Sequence, residues 1–113
     1  MEQTEEQAAV FSALADPTRL RLVKVLCRQK QPDALCVNAL AMLLGVSQSA
    51  VSQHLRVLKG MGLVRGERRG YHVHYFVNRE CHERCLKLVS EALGMEEAGK
   101  EEPCESNCSV RRE

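Results

Sequence analysis

A helical apolar pattern runs through the stretch Ser47 to Gly60. Its apolar residues are spaced one, four and three positions apart, which places them on one stripe of a helix: Ala50, Val51, Leu55 and Leu58. Ser47 is suited to cap the helix at its start, and Gly60 and Gly62 follow the last periodic position, as is usual where a helix ends. The pattern therefore predicts an amphipathic helix that lays one face on a core.

The opposite face of this helix is polar in an ordered way. Short hydrogen-bonding groups come first and cations come last, in the series Gln48, Ser49, Ser52, Gln53, His54, Arg56 and Lys59. Short polar side chains allow a helix to approach base edges in the major groove, whereas Arg and Lys bind phosphates. We predict that the first five of these residues and Ser47 contact or position DNA, and that Arg56 and Lys59 bind phosphate. From this segment alone, a solvated polar face is the alternative.

The neighbouring segments favour DNA binding. Val37 to Leu44 is a short apolar run closed by Gly45, which predicts a tight turn between two helices. Downstream, the segments Leu63 to Glu67 and Tyr71 to Val77 flank Arg68-Arg69-Gly70 and predict a β-hairpin with a cationic tip. A basic hairpin after a recognition helix is typical of a wing, whose Arg68 and Arg69 would contact DNA phosphates or the minor groove. A solvated basic turn is the alternative.

Three further helices are predicted. The first runs from Gln3 to Leu14, and Asp16-Pro17 is a start signal for a second that ends near Cys27. In the second helix the aliphatic residues are assigned to the core and the four cations to solvent: Arg19, Arg21, Lys24 and Arg28. The last helix spans Arg79 to Leu93, and its apolar residues fill one wide arc, as a surface for a partner subunit would: Leu88, Cys81, Ala92, Cys85, Val89, His82, Leu93 and Leu86.

These elements predict a mainly α protein with a small β-hairpin, in the winged helix-turn-helix order α-α-α-α-β-β-α. We assign residues 1–94 to one DNA-binding and dimerisation domain, and residues 95–113 to a flexible, acidic, cysteine-containing tail. A chain of 113 residues buries a modest fraction of its surface alone, so a homodimer formed through the terminal helices is expected.

Charge is distributed unevenly along the chain. The formal net charge is only +1, but residues 17 to 79 hold 11 Lys and Arg against 2 Asp and Glu, a local balance of +9. The acidic residues lie toward the two ends, which indicates a nucleic-acid footprint in the middle. The opening MEQTEEQAAV lacks the features of a signal peptide and no membrane-spanning run is present, so a cytoplasmic location without membrane association is expected.

Three segments together resemble a known family. In order they are ADPTRLRLVKVL, LCVNALAMLLGVSQSAVSQHLRVLKGMGLV and RRGYHVHYFV, and with the flanking helices they resemble the ArsR/SmtB family over about residues 8 to 93. The resemblance implies a dimeric winged-helix repressor that leaves its operator in double-stranded DNA when a metal ion, a metalloid or a redox signal binds. It does not specify the inducer.

The six cysteines are candidates for the sensing site. Structural disulfides are disfavoured in a reducing cytosol, and thiolates bind soft metals. Cys81 and Cys85 share one helix face at i, i+4, and Cys104 and Cys108 repeat the spacing in the tail, so the two pairs together predict a three- or four-thiolate site. As(III), Cd(II), Pb(II), Zn(II) and Hg(II) all accept sulfur ligands. Packing at the dimer interface is the alternative for the first pair.

The chain departs from two metal sites of the family. Many arsenic and cadmium sensors carry a CVC motif before the recognition helix, but here Asn38 replaces its second cysteine, which leaves Cys36 as a core residue or an auxiliary ligand. Some zinc sensors place His and carboxylate ligands on the last helix, and here only His82 near its start is a secondary candidate. His54, His72 and His74 fall in the DNA-binding region and are assigned no metal.

Cys27 raises a different mechanism. Family members that sense persulfide use a cysteine on the second helix and another on the last, and Cys27 resembles the first, so a thiol-based redox repressor without a metal is the alternative function. For Cys27 by itself, packing in the core is the simpler interpretation. No spacing places a base beside a nucleophile, so an enzyme is not expected. A structural zinc clamp on the tail is also considered, but we expect no cofactor for folding.

Overall fold

The computed structural model describes residues 2–30 and 35–94. Within them the elements are α1 (Gln3–Leu14), α2 (Pro17–Arg28), β1 (Leu35–Cys36), α3 (Val37–Leu44), α4 (Gln48–Gly60), β2 (Val64–Arg69), β3 (His72–Val77) and α5 (Arg79–Ala92). The predicted helices and hairpin are confirmed to within a residue or two. Strand β1 was not predicted, because two residues carry no periodic signal. Residues 95–113 lie outside the described part, so the domain boundary at residue 94 stays a prediction.

Side-chain caps explain where three of these helices begin. Asp16 accepts a hydrogen bond from the Thr18 backbone N–H at the start of α2, as its Asp-Pro signal predicts. Ser47 caps α4 as predicted. Asn78, which the sequence analysis missed, accepts from two backbone N–H groups at the start of α5 and fixes the helix directly after the hairpin.

The sheet is antiparallel with strand order β1-β3-β2. Strands β2 and β3 pair from Val64 with Val77 to Arg69 with His72, so the turn of the hairpin is Gly70-Tyr71. The predicted connection Arg68-Arg69-Gly70 therefore begins two residues too early and shares only Gly70 with the observed turn. Both arginines complete β2, because Gly70, with φ of 67°, supplies the left-handed backbone that the turn needs.

The core lies beneath α4 and confirms its predicted apolar stripe. Val51, Leu55 and Leu58 are at most 1% exposed, while Ala50 is half-buried. They pack against aliphatic residues of the other elements, including Leu22, Leu26, Leu40, Leu63 and Leu88. Gly45, with φ of 70°, ends α3 and turns the chain into α4, as its position predicts. The core therefore sets the orientation of α4 from behind.

The terminal helices α1 and α5 pack on each other. Arg84 donates to Glu6 at 2.6 Å and Gln3 donates to Glu91, both across this contact. The apolar arc of α5 is divided between two uses: Cys85 and Leu88 are buried within the chain, whereas Leu86 and Leu93 are 56% and 63% exposed. Among the described residues, no helix is both long and apolar enough to cross a bilayer.

Candidate nucleic-acid interface and thiol site

Helix α4 presents one polar surface to solvent. Six of its predicted contact residues are exposed, as expected: Gln48, Ser49, Ser52, Gln53, Arg56 and Lys59. The buried stripe holds this surface in place, so the short polar groups lie toward the N-terminal half of the helix and the two cations toward its C-terminal half. Short hydrogen-bonding groups are suited to contact base edges, and cations are suited to contact phosphates.

Two residues at the start of α4 are already engaged within the protein. The hydroxyl oxygen of Ser47 accepts from the Ala50 backbone N–H at 3.0 Å, and the side-chain amide of Gln48 donates to the Asn38 side-chain oxygen at 3.0 Å. Asn38 belongs to α3, so this bond ties the two helices of the helix-turn-helix together. Ser47 is thus a cap, and Gln48 has one donor committed to positioning.

His54 differs from the other predicted contact residues of α4 because it is half-buried. Its Nδ1 lies 3.3 Å from Arg19 Nη1, and its Nε2 lies 3.7 Å from Asp16 Oδ2. Arg19 also donates to two carbonyl oxygens of α1, so the assignment of Arg19 to solvent is wrong. The Arg19 guanidinium has three acceptors in the protein. The hydrophobicity pattern along the sequence does not reveal such long-range partners.

The hairpin carries an ion-paired row that the sequence analysis missed. Glu67 lies between Arg65 at 3.2 Å and Arg69 at 3.1 Å, and both guanidinium groups sit over the Phe76 ring. Hydrogen bonds from Arg69 and then Arg65 lower the pKa of the Glu67 carboxyl. Alternation along β2 places these three residues on one face of the strand. Arg69 therefore has partners within the wing, whereas Arg68 on the opposite face is exposed.

Tyr71 occupies the turn of the hairpin and is 97% exposed. The described residues therefore leave this aromatic side chain almost fully open to solvent, separated only by Gly70 from the arginines that end β2. The sequence pattern predicts Tyr71 in the second strand, but the pairing of Arg69 with His72 places it in the turn.

Cys81 and Cys85 are brought together as their spacing predicts. Their sulfur atoms are 4.0 Å apart, and Cys81 Sγ also lies 3.5 Å from the Met61 carbonyl oxygen. Burial, together with the neighbouring Cys81, raises the pKa of the Cys85 thiol to about 11. Two thiolates bound tetrahedrally to one zinc ion, with bonds of ~2.3 Å, stand about 3.8 Å apart. The pair therefore fits two corners of a metal–thiolate site with little movement.

The described part of the chain does not place any further ligand of the predicted site beside Cys81 and Cys85. Cys104 and Cys108 lie outside the described residues. Within residues 2–30 and 35–94, no group of three or more His, Cys, Asp and Glu side chains is arranged to hold a metal ion. Cys36 lies in β1 opposite His74 of β3, on a different element from Cys81 and Cys85.

Cys27 is exposed, so its assignment to the core is wrong. It follows the buried Leu26 in the last turn of α2 and lies beside the buried stripe of that helix. A groove of about 340 Å³ joins Cys27 to His82 and Arg79 at the start of α5. Partial burial raises the pKa of the Cys27 thiol, against the opposing influence of Arg79 and Arg28. His82 thus faces the groove of Cys27 and is half-buried.

Comparison with known proteins agrees with this architecture. Residues 16–65 match the family model described as bacterial regulatory protein, arsR family. The chain is 48% identical over 75 residues to a transcriptional repressor SmtB homolog of Synechocystis, covering 66% of this chain and 54% of that protein. It is 34% identical over 88 residues to the arsenical resistance operon repressor of Escherichia coli, covering 78% and 73%.

A solved structure extends the similarity to the fold. The homodimeric winged helix-turn-helix DNA-binding domain of a possible ArsR-family regulator of Mycobacterium bovis matches with a TM-score of 0.62 at 26% identity, covering 79% of this chain and 81% of that one. The relatives are transcriptional regulators, not enzymes, in agreement with the sequence analysis. The order of helices, the wing and the sequence similarity agree, and the chain belongs to the ArsR/SmtB family of winged helix-turn-helix regulators.

Proposed function

We propose that the chain is a homodimeric repressor that binds operator DNA through α4 and the hairpin, and is released when a thiophilic metal or metalloid ion binds its cysteines. The observation that carries the DNA-binding part is the exposed polar face of α4, held outward by a stripe at most 1% exposed. Arg56 and Lys59 in the second half of α4, and Arg68 in the hairpin, add exposed cations. Contacts to phosphate from such groups would make binding strongly dependent on salt.

The dimer is supported by apolar side chains on the terminal helices that the chain itself leaves exposed. Phe11 of α1, Leu86 of α5 and Leu93 at the C-terminal cap of α5 are 41% to 63% exposed, although the two helices pack on each other. A second copy would bury them and would place two α4 helices for adjacent major grooves. The M. bovis relative is homodimeric. Leu86→Glu with Leu93→Glu should convert the dimer to a monomer in equilibrium ultracentrifugation, and an unchanged dimer would contradict this interface.

The inducer site is proposed at Cys81 and Cys85, completed by Cys104 and Cys108, with Cys36 and His82 as auxiliary candidates. The sulfur separation of 4.0 Å supports the first pair. The E. coli relative is a repressor of arsenical resistance, which favours a soft ion. The candidate ions are As(III), Cd(II), Pb(II), Zn(II) and Hg(II), since each accepts thiolate ligands. No ion is required for folding in this proposal, because the described core is apolar and continuous.

The tail pair gives the decisive test of this site. Cys104→Ser with Cys108→Ser should leave operator binding intact but abolish release by the ion, measured by fluorescence anisotropy of a labelled operator obtained by selection from random DNA. Chelation of the wild-type protein should leave it folded and raise its operator affinity. Retained release in the double variant would refute the role of the tail. Unfolding upon chelation would instead indicate a structural ion.

A thiol-based redox repressor is the second candidate, and the exposure of Cys27 favours it. An oxidant that accepts two electrons would join two thiols in a disulfide and release two protons. Counting free thiols before and after peroxide, with operator anisotropy in parallel and chelator present, separates the two mechanisms. Release that requires Cys27 and proceeds without metal supports the redox mechanism, whereas release that survives Cys27→Ser and requires metal excludes it.

A further inference from the structure

The side chain of Arg19 contacts both α1 and the recognition helix α4. Its Nε donates to the Ala13 carbonyl oxygen at 2.5 Å, and its Nη2 donates to the Ser12 carbonyl oxygen at 3.4 Å. Both carbonyls belong to the last turn of α1, where a cation is favoured by the helix dipole. The Ser12 carbonyl also accepts from the Ala15 backbone N–H at 3.3 Å. The remaining Nη1 points to His54 of α4. One side chain thus connects the end of α1 with the recognition helix.

The contact favours one tautomer of the neutral His54 ring. A guanidinium group only donates, so His54 Nδ1 must accept with its lone pair, and in the neutral imidazole the proton then resides on Nε2. Nε2 is the nitrogen that faces Asp16 Oδ2 at 3.7 Å. The other carboxylate oxygen of Asp16 caps α2 through the Thr18 N–H. Both ring nitrogens are therefore directed at protein groups, and the side chain is only 22% exposed.

We propose that Arg19 and His54 form a clamp that positions the recognition helix against the junction of α1 and α2, and that neither residue contacts a base or a phosphate. His54 lies between the exposed Gln53 and the buried Leu55, so an anchor at this position sets the rotation of the polar face. The effect of the clamp on operator binding rests on the proposed function, whereas the tautomer of the His54 ring does not depend on it.

The first test needs no DNA. Long-range ¹H–¹⁵N NMR of the full chain should show His54 as the Nε2–H tautomer with an unprotonated Nδ1. Arg19→Leu should abolish this tautomer preference, and Arg19→Lys should weaken it, because an ammonium group lacks the planar fork that reaches the carbonyls and the ring together. Arg21→Leu, which removes an exposed cation from the same helix, should change nothing. A wild-type His54 protonated on Nδ1, or an Arg19→Lys spectrum identical to wild type, would overturn the proposal.

The second test separates positioning from direct DNA contact. Arg19→Leu should weaken operator binding about 10-fold, with the slope of log affinity against log salt unchanged, whereas loss of a phosphate contact lowers that slope by about 1. His54→Gln, which can accept from Arg19 and donate to Asp16, should restore most of the affinity lost in His54→Leu. The double variant Arg19→Leu, His54→Leu should bind no more weakly than the weaker single variant.

The outcomes can be distinguished from a failure of the proposed function. If the wild-type protein binds no DNA at all, the proposed function fails, while the NMR measurement still tests the clamp. If Arg19→Leu lowers the salt slope by about 1, Arg19 is a phosphate ligand and the clamp is refuted. If the two losses in the double-variant cycle add, Arg19 and His54 act independently and the proposal is likewise overturned. Circular dichroism of each variant confirms that the fold is retained.

Discussion

Cys81 Sγ lies 4.0 Å from Cys85 Sγ on the first two turns of α5, beside the Met61 carbonyl. The pair stands where α5 meets the end of α4, since a methyl group built on Gly62 would lie 3.8 Å from the Cys81 sulfur. A ligand held by these two sulfurs would therefore act next to the segment that leads from the recognition helix into the wing. This position links the proposed thiol site to the proposed DNA-binding face.

The first prediction concerns the contribution of this pair to ion binding. Cys81→Ser should weaken Cd(II) binding at least 10-fold, or ~1.4 kcal/mol, because a hydroxyl is a poor ligand for a soft ion. Isothermal titration calorimetry of the reduced protein with a competing chelator measures the change. Cys36→Ser is the matched control and should have a smaller effect. Equal losses of affinity in the two variants would mean that Cys36 in β1 contributes as much to ion binding as Cys81, which contradicts this prediction.

A pH dependence follows from Cys85. Its pKa is raised from 9.0 to about 11 in the folded chain, so between these values the unfolded chain releases a proton that the folded chain keeps. The metal-free protein should therefore lose stability as pH rises from about 9 through 11, and be unaffected by this group below 9. Urea unfolding of wild type and Cys85→Ala at pH 8 and pH 10.5 isolates the effect. If the difference in unfolding free energy between wild type and Cys85→Ala is the same at both pH values, the result would contradict a raised pKa of Cys85.

Glycine 66 should be needed for the wing. A Cβ there would lie 2.9 Å from Val73 Cγ1 and 3.0 Å from Tyr75 Cε1, side chains of the paired strand. Gly66→Ala should destabilise the protein by ~1–3 kcal/mol, as overpacking usually does. Gly60→Ala, at a helical position with open space, is the control and should be neutral or stabilising. Urea unfolding measures the free energy of unfolding of both variants. If Gly66→Ala is as stable as the wild type, the hairpin accommodates the added methyl group and the prediction is wrong.

The cations at the end of α4 should act as phosphate ligands. Arg56→Ala and Lys59→Ala should each weaken binding to all DNA sequences alike and lower the salt slope by about 1. Lys24→Ala removes an exposed cation from α2 and should leave the slope unchanged. Anisotropy titrations at four salt concentrations provide the slopes. An altered sequence preference with an unchanged slope would instead make Arg56 or Lys59 a base-contacting residue.

Much of the fold could be predicted because local chemistry and long-range packing agree. The stripe of α4, the cap at Asp16 and the glycine at position 45 each act within one or two turns of chain, and each is found as predicted. The wing was located correctly, but its turn was not. By sequence, Arg68 and Arg69 beside a glycine are typical of a turn, and only their pairing with β3 makes them strand residues.

The missed features depend on contacts between distant parts of the chain. Arg19 meets His54 across 35 positions, and Gln48 meets Asn38 across the turn of the motif. Cys27 was assigned to the core because cysteine is commonly buried, yet it is exposed next to the buried Leu26. For the candidate site, the i, i+4 geometry of Cys81 and Cys85 could be predicted from helix periodicity alone, whereas their neighbours could not.

The central claim is that one event, thiolate binding to a soft ion, releases the operator. A single titration of the reduced full-length protein, bound to a selected operator fragment, can follow the thiolate-to-metal absorbance and the DNA anisotropy together as Cd(II) is added, and can then be repeated with As(III), Pb(II), Zn(II) and Hg(II). The account predicts that for at least one ion the two signals change in parallel and saturate at the same ion-to-dimer ratio. Saturated thiolate absorbance with every ion while the DNA remains bound would contradict it.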